Sequence, residues 1–416
     1  MYLNQDADAP FCHGSQQAAG EAPPLIAGRP SWLISRALRH LHKGRLTIML
    51  PSGRRIDHAG DLPGPHGVIE LRNSMAFRRL LFRGDVGFAE GFIAGDWSSP
   101  DLPQLIALAA ENVARLDATF EGFWPVRMWR RLNHALRRNS RTGSRRNIAF
   151  HYDLGNDFYR LWLDETMTYS SAIALAPGGS LEQAQREKLD RIAALLNLSG
   201  SEEVLEIGCG WGALASRLAR DCRSVTALTL SQEQLRHARS VVEEGDAHAR
   251  IDLRLQDYRS VADRFDRIVS IEMLEAVGEA YWPVYFQQLR DCLRPGGRIV
   301  LQAITIREDR FAAYQRNPDF IQHYIFPGGM LPTRTILDEQ ARRVGLSITA
   351  RQNFGSGYAQ TLAEWRRRFE AQWPRIRTLG FDDNFHRLWT YYLAYCEAGF
   401  RTGTIDVGLY VLEAKR

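Results

Sequence analysis

The sequence predicts an α/β protein built on a doubly wound, mostly parallel sheet, with a smaller α+β N-terminal domain ahead of it. Three observations carry that expectation. From Leu181 onward, apolar strand-like runs alternate with helix-like runs, the pattern of a parallel sheet covered on both faces. A glycine-rich turn, Gly208, Gly210 and Gly212, joins an apolar strand to a helix. Before residue 118 the pattern is one of short strands and helices punctuated by Gly and Pro, which marks a separate, smaller unit.

The elements follow in order. Residues 1–30 are rich in Gly, Ala, Pro, Gln and Asp without periodicity and are expected to be disordered. In residues 31–118, LTIMLPSGRRI and GVIELRN read as strands, and DLPQLIALAAENVARL reads as a helix with Asp101 as its N-cap. The tract GDVGFAEGFIAGDW reads as a surface helix with Trp97 available for an interface. Residues 119–147 form a basic amphipathic linker helix. Met128, Trp129, Leu132, Ala135 and Leu136 share one face, with Arg127, Arg130, Arg131, Arg137 and Arg138 largely on the other. Eight arginines and no acid lie between Arg127 and Arg146. That surface suits an anionic membrane, or it is the solvated face of a docked linker; nucleic acid ranks third because no binding motif accompanies it.

Residues 148–416 read as one larger α/β domain, the expected seat of any catalytic site. SLEQAQREKLDRIAALLNL is a helix, EEVLEIG a strand and WGALASRLARDC a helix, and SVTALTL, IDLRLQ, RIVSI and GRIVLQAIT are further strands. A chain of 416 residues, 45% hydrophobic and 24% charged, with a net charge of +5, fits two or three ordinary globular domains. No apolar run is long enough for a bilayer and no signal-peptide pattern opens the chain, so a cytoplasmic protein, peripheral on the inner membrane face, is expected. The five cysteines lack metal or disulfide spacing, and no metal is expected.

The glycine loop is the most specific local signal. Its spacing is GxGxG, not the GxGxxG of dinucleotide folds, and Glu206 precedes it inside the strand. Both features point away from NAD and toward the loop of Rossmann-like class I methyltransferases that cradles the methionine part of S-adenosylmethionine; a flavin or NAD protein with an atypical loop is the lesser alternative. Gly208, Cys209 and Gly210 are the loop candidates. Thr229 and Gln234, with Ser231, stand where ribose and adenine contacts are expected, and Gln256, Asp257 and Tyr258 end the next strand, where Asp257 can reach the adenine amino group. The fourth strand ends SIEMLEAVG and lacks the amide clamp of adenine or cytosine amino methylation.

Seven blocks in order, HYDLGNDFYRLWLDETMTYSSA, LEIGCGWGALA, LTLSQEQ, RIVSIEMLEAVG, YIFPGGMLP, NFGSGYAQTLAEW and TYYLAYCEAGFRTGTIDVGLYVLE, resemble the cyclopropane-fatty-acyl-phospholipid synthase family. The resemblance implies methyl or methylene transfer from S-adenosylmethionine to the cis double bond of acyl chains in membrane phospholipids. It implies that the aromatic segment closes over the cofactor, with Tyr169 and Ser170 touching it, and forms part of the acyl pocket wall. In the family the proton acceptor is a bicarbonate held by a Cys, a Glu, a His, a backbone group after the His, and a Tyr. Carried over, the Glu is Glu275, the Tyr is Tyr358 and the backbone group is that of Ile304.

Two ligands differ. The Cys position is Ser171 and the His position is Gln302, and Glu272 stands where family members commonly carry Gly. Gln302 cannot be cationic and Glu272 adds a negative charge, so bicarbonate is expected to be held less well. The proton acceptor would then be Glu272 or Glu275. The carbocation that methyl transfer to the alkene leaves could shift a hydride and lose a proton elsewhere, giving a methylene- or methyl-branched chain in place of a ring. Alternatively, Glu272 is a solvated carboxylate at a helix start. His151 with Asp153 reads equally as a structural pair. Trp389, Tyr391, Tyr392, Tyr395 and Phe400 read either as acyl-tunnel lining or as core, and Cys209 as a small packing residue. An inactive lipid-binding homologue is the reading from another class; the intact cofactor loop with Glu275 and Tyr358 argues against it. The oligomeric state stays open, a homodimer among the candidates.

Overall fold

The computed structural model describes residues 38, 41–73, 75–120, 154–176, 178–243 and 248–414. The N-terminal 1–30 segment, the basic linker helix with its arginine run, and His151 to Asp153 lie outside the described residues. His40–Arg416 groups by contacts into one unit.

Four strands, β1 (Lys43–Met49), β2 (Arg55–Ala59), β3 (Leu62–Leu71) and β4 (Trp97–Ser98), form a sheet in the order β2-β1-β3-β4. The β1–β2 pair is antiparallel, whereas β1 and β3 run parallel. The helix Leu102–Phe120 covers the sheet and is capped as expected, the Gln104 amide donating to Asp101 Oδ1 at 3.2 Å. The Trp97 expectation is corrected. Its side chain is 1% exposed, stacked 4.2 Å from Phe88, with the indole N–H donating to the Phe88 carbonyl at 3.0 Å. A Trp with both its ring and its single donor satisfied inside the fold is core and offers nothing to an interface.

The large sheet contains β5 (Glu203–Ile207), β6 (Ser224–Thr229), β7 (Ile251–Leu255), β8 (Phe265–Ile271), β9 (Leu293–Ile306), β10 (Leu346–Asn353) and β11 (Ile405–Ala414), ordered β10-β11-β9-β8-β5-β6-β7. Its β9-β8-β5-β6-β7 portion is parallel, and β11 is antiparallel to both neighbours. Near-continuous burial along β5 and β6 reflects cover on both faces of the sheet. The sequence expectation of a doubly wound sheet holds. The strand order reverses at β5, whose neighbours are β6 and β8, and the crevice beyond the carboxyl ends of these strands is where such sheets bind ligands.

The helix Asp383–Arg401 joins the two layers. It packs on Gly355–Thr378 and also on Met75–Ile93 and Leu102–Phe120. Among the described residues no helix is long and apolar enough to cross a membrane.

Candidate active site

The loop after β5 is built as its glycines demand. Gly208, Gly210 and Gly212 take φ of 84°, 53° and 92°, a region where other residues are strained. A side-chain carbon at Gly210 would meet nothing within 4 Å, so the backbone there borders open space, whereas one at Gly212 would press on Ala238 at 3.1 Å. Cys209 is buried and free, as expected of a packing residue. Beneath the loop, Glu206 is 2% exposed and its Oε2 has no hydrogen-bond partner. Burial pushes its carboxyl up to about 8. An orphaned carboxyl under a glycine loop fits the ammonium group of a bound amino acid, whose charge would favour its ionised form.

At the end of β6, Thr229 Oγ1 donates to Gln234 Oε1 at 2.8 Å and accepts from the Ser231 amide at 3.1 Å. Both side chains are buried, and Gln234 thus has its oxygen fixed toward Thr229, which leaves its amide N–H₂ for a ligand hydroxyl. Gln256, at the end of β7, donates its backbone N–H to the Thr229 carbonyl at 3.1 Å. Asp257 next to it accepts from Arg259 at 2.9 Å on Oδ1 and 2.7 Å on Oδ2, and the Arg259 guanidinium lies over the Tyr258 ring. This strong pair is a second demand on the carboxylate expected to meet adenine.

On the other side of the crevice the aromatic segment forms a wall. Tyr169 donates or accepts a 2.7 Å bond with the Tyr392 hydroxyl and packs 5.3 Å from Trp365 and 5.4 Å from Tyr159. Trp389 is 2% exposed among Phe158, Trp162 and Tyr392. Most of the C-terminal aromatic helix is therefore core, while Phe400 lies 4.4 Å from the ring of Tyr358.

Between wall and loop, three predicted residues converge on the carboxylate of a fourth, Glu272. Glu272 Oε1 accepts from the Ser171 amide at 2.9 Å and from Gln302 Nε2 at 2.6 Å, and Oε2 accepts from the Tyr358 hydroxyl at 2.8 Å. The Glu272 backbone sits at φ 50°, unusual for a side chain of this size, and its amide donates to the Gln302 carbonyl at 2.8 Å. Glu272 is thus not a solvated carboxylate, which corrects that alternative. The Ser171 hydroxyl does not take part; it donates to the Ala172 carbonyl at 2.6 Å. Burial raises the Glu272 carboxyl above its usual range, while the Ser171 amide and the Lys188 charge oppose this. Glu275 lies alongside, with Oε1 accepting from the Ile304 amide at 2.5 Å and Oε2 buried without a partner. Burial and then the neighbouring Glu272 push it up to about 8.

Sequence reasoning left out Lys188 as a site residue and did not assign Glu206 a contact. Lys188 falls on the buried stripe of the helix Leu181–Leu196 with Ala184, Leu189 and Ile192. A helical wheel would have flagged it. Its Nζ donates to Ser170 Oγ at 2.6 Å.

The model of the mycolic acid cyclopropane synthetase family matches residues 139–409. This chain belongs to that family. Tuberculostearic acid methyltransferase UfaA1 of Mycobacterium tuberculosis is 40% identical over 94% of this chain and 91% of its own length. Cyclopropane-fatty-acyl-phospholipid synthase of Escherichia coli is 35% identical over 82% of this chain and 86% of its own. The crystal structure of mycolic acid cyclopropane synthase CmaA1 complexed with SAH and CTAB is 31% identical, with a TM-score of 0.60 over 64% of this chain and 97% of that one. The chain is a methyltransferase, and its methyl donor is S-adenosylmethionine.

The Gly208–Gly212 loop, Glu206, Thr229 and Gln234 fit that donor. Replacing Glu206→Gln keeps the shape and removes the charge opposite the ammonium. The expected result, read by calorimetric titration with S-adenosylmethionine, is about 10-fold weaker binding or more, from one lost charge-assisted hydrogen bond. An unchanged affinity would free Glu206 from any role at the donor.

Proposed function

We propose that this enzyme methylates the cis double bond of unsaturated acyl chains in membrane phospholipids, that Glu272 takes the released proton, and that the product is a methylene-branched chain. The observation that carries the reading is the Glu272 carboxylate with donors from Ser171, Gln302 and Tyr358. These positions match the bicarbonate ligands of the resembling family, and Glu272 stands where members of that family commonly carry Gly. A tethered carboxylate in that place makes a free anion redundant, and a second negative charge beside it would be repelled.

The bound donor supplies an electrophilic sulfonium methyl. The work of the protein is then to align the alkene, exclude water and manage charge. As the alkene attacks, the sulfur–methyl bond breaks and a carbon–carbon bond forms, leaving a cation on the neighbouring chain carbon. The aromatic wall and the Glu272 charge stabilise that cation.

Three hydrogen bonds fix the Glu272 carboxylate in one place, so the proton it takes depends on where the cation settles. The cation gains stability if a hydride moves from the methyl-bearing carbon to its neighbour, which makes it tertiary. Loss of a proton from the transferred methyl to Glu272 then gives a methylene group and a neutral carboxyl. A relative named as a methyltransferase at 40% identity over 94% of the chain, against a named synthase at 35% over 82%, favours the branched outcome. Action at the anionic inner face of the membrane follows from the phospholipid substrate and the arginine-rich segment near residue 130.

The test is to incubate the protein with S-adenosylmethionine and vesicles of cis-monounsaturated phospholipid. Acyl products are then weighed by mass spectrometry before and after mild catalytic hydrogenation. Ring and methylene have equal mass, but the methylene takes up two hydrogens under conditions that spare the ring. Hydrogen uptake is expected; a resistant product would mean that Glu272 closes the ring.

A further inference from the structure

Resting on the reading of Glu272 as proton acceptor, we infer that Lys188 is a positioning residue for that base: its buried ammonium keeps the Glu272 carboxylate charged and, through Ser170, fixes the backbone that donates to it. The lysine is 0% exposed, in the middle of an apolar helix face where Leu or Met would pack without cost. A buried ammonium persists only with hydrogen bonds and opposite charge. Lys188 has the hydrogen bond, to Ser170 Oγ at 2.6 Å, and feels the opposite charges of Glu272 and then Asp164 without a direct ion pair to either among the described residues.

Asp164 is already engaged locally. It accepts from the Thr166 and Thr168 amides, each at 3.0 Å, and from the Thr166 hydroxyl, which makes it the cap of its own turn. For Glu272, the Lys188 charge works against burial and favours the carboxylate. The connection is also mechanical. Lysine only donates, so the Ser170 oxygen must accept. One turn earlier on the same helix, Gln185 Nε2 donates to the Ser170 carbonyl at 2.8 Å. Ser170 is therefore held at its side chain and at its backbone, and the next amide, that of Ser171, donates to Glu272.

The other titratable groups facing Glu272 do not supply its counter-charge. Glu275, from the helix Leu274–Val277, is an acid pushed up to about 8 by burial and by Glu272 itself. Tyr358, from the helix Gly355–Thr378, and Cys396, from the helix Asp383–Arg401, are both raised by burial and stay neutral. Lys188 is pulled down to about 8 by burial, against the pull of Glu272 and then Asp164, so it carries its charge through neutral pH.

The experiment is the pH dependence of kcat for the wild type, Lys188→Met, Glu272→Gln and the double variant. Without the cation the Glu272 carboxyl is harder to ionise, so the acid limb of Lys188→Met is expected to move up by about one pH unit or more. Its rate should fall ~10-fold on the acid side and recover in alkali. The double variant should be no slower than Glu272→Gln alone. An inactive Glu272→Gln beside an unshifted acid limb in Lys188→Met, or losses that multiply in the double variant, would overturn the proposal while leaving the base assignment intact. A fully active Glu272→Gln would instead remove the base assignment on which it rests. If Lys188→Met does not fold, the double variant decides. A cooperative melt regained on removing both charges supports the coupling, and continued misfolding overturns it and makes Lys188 a structural partner of Asp164.

Discussion

Glu272→Gly is expected to lose turnover by about 10²- to 10⁴-fold in bicarbonate-free buffer, the usual worth of a positioned general base. Added bicarbonate or formate is expected to restore part of it. The backbone favours this substitution, because φ of 50° at Glu272 is a conformation glycine adopts without strain. What disappears is the carboxylate, and what remains is a cavity faced by the Ser171 amide, Gln302 Nε2 and the Tyr358 hydroxyl. Three donors around an anion-sized space should accept a small carboxylate or bicarbonate, returning the proton acceptor as a diffusible ion.

Glu272→Gln should lose as much and gain nothing from either ion, since the amide still fills the space. Initial rates of methyl incorporation into vesicle lipid, with each ion titrated, separate the two. Turnover within a few-fold of wild type in both variants would transfer the proton to another group, with Glu275 the first to test. Rescue of the Gln variant as strongly as the Gly variant would place the anion somewhere other than the Glu272 cavity.

The parts of this site that could be read in the sequence are the local ones. The glycine loop, its strand and its helix are contiguous, and Gly208 to Gly212 show their backbone needs through residue type alone. Ser171, Gln302, Ile304 and Tyr358 could be placed because family blocks surround each. The function of Glu272 could not be settled in that way. Its donors lie 101, 30 and 86 positions away along the chain, and only the sheet order and the packing of the helix Gly355–Thr378 bring them together. One sequence shows an acid after a strand; it does not show whether water or three donors surround it. Trp97 failed for a related reason. A single Trp after a Gly-rich helix is equally compatible with surface and core, and the nearby Phe88 decides the matter through a contact that periodicity does not encode. Lys188 was legible, since its place on the apolar face of Leu181–Leu196 is visible from spacing.

Gly357→Ala is expected to be the most damaging single-methyl change in the site. The first turn of the helix Gly355–Thr378 lies directly on the wall segment: a side-chain carbon at Gly357 would stand 1.8 Å from the Ile173 carbonyl oxygen and 2.6 Å from its carbon. Both are backbone atoms, and they cannot rotate away as a flexible side chain could. The segment is tied in place on either side, the Ala172 amide donating to Thr361 Oγ1 at 3.3 Å and the Leu175 amide to Gln360 Oε1 at 3.0 Å. Accommodating one methyl therefore means lifting the helix start off the wall. Overpacking of this kind costs about 3 kcal/mol or more when backbone must move. In a domain of this size that lowers Tm by about 5–10 °C. The chemical effect should exceed the thermal one. Tyr358 is the next residue, and a shift of its backbone by about 1 Å breaks the hydroxyl contact to Glu272 and loosens the acyl-pocket wall; misplacement on that scale costs on the order of 10²-fold in rate. A thermal melt beside a methyl-transfer assay on the same preparation tests both. A variant that melts within about 1 °C of wild type and turns over normally would show that the wall yields at Ile173, and with it that the helix start does not set the position of Tyr358.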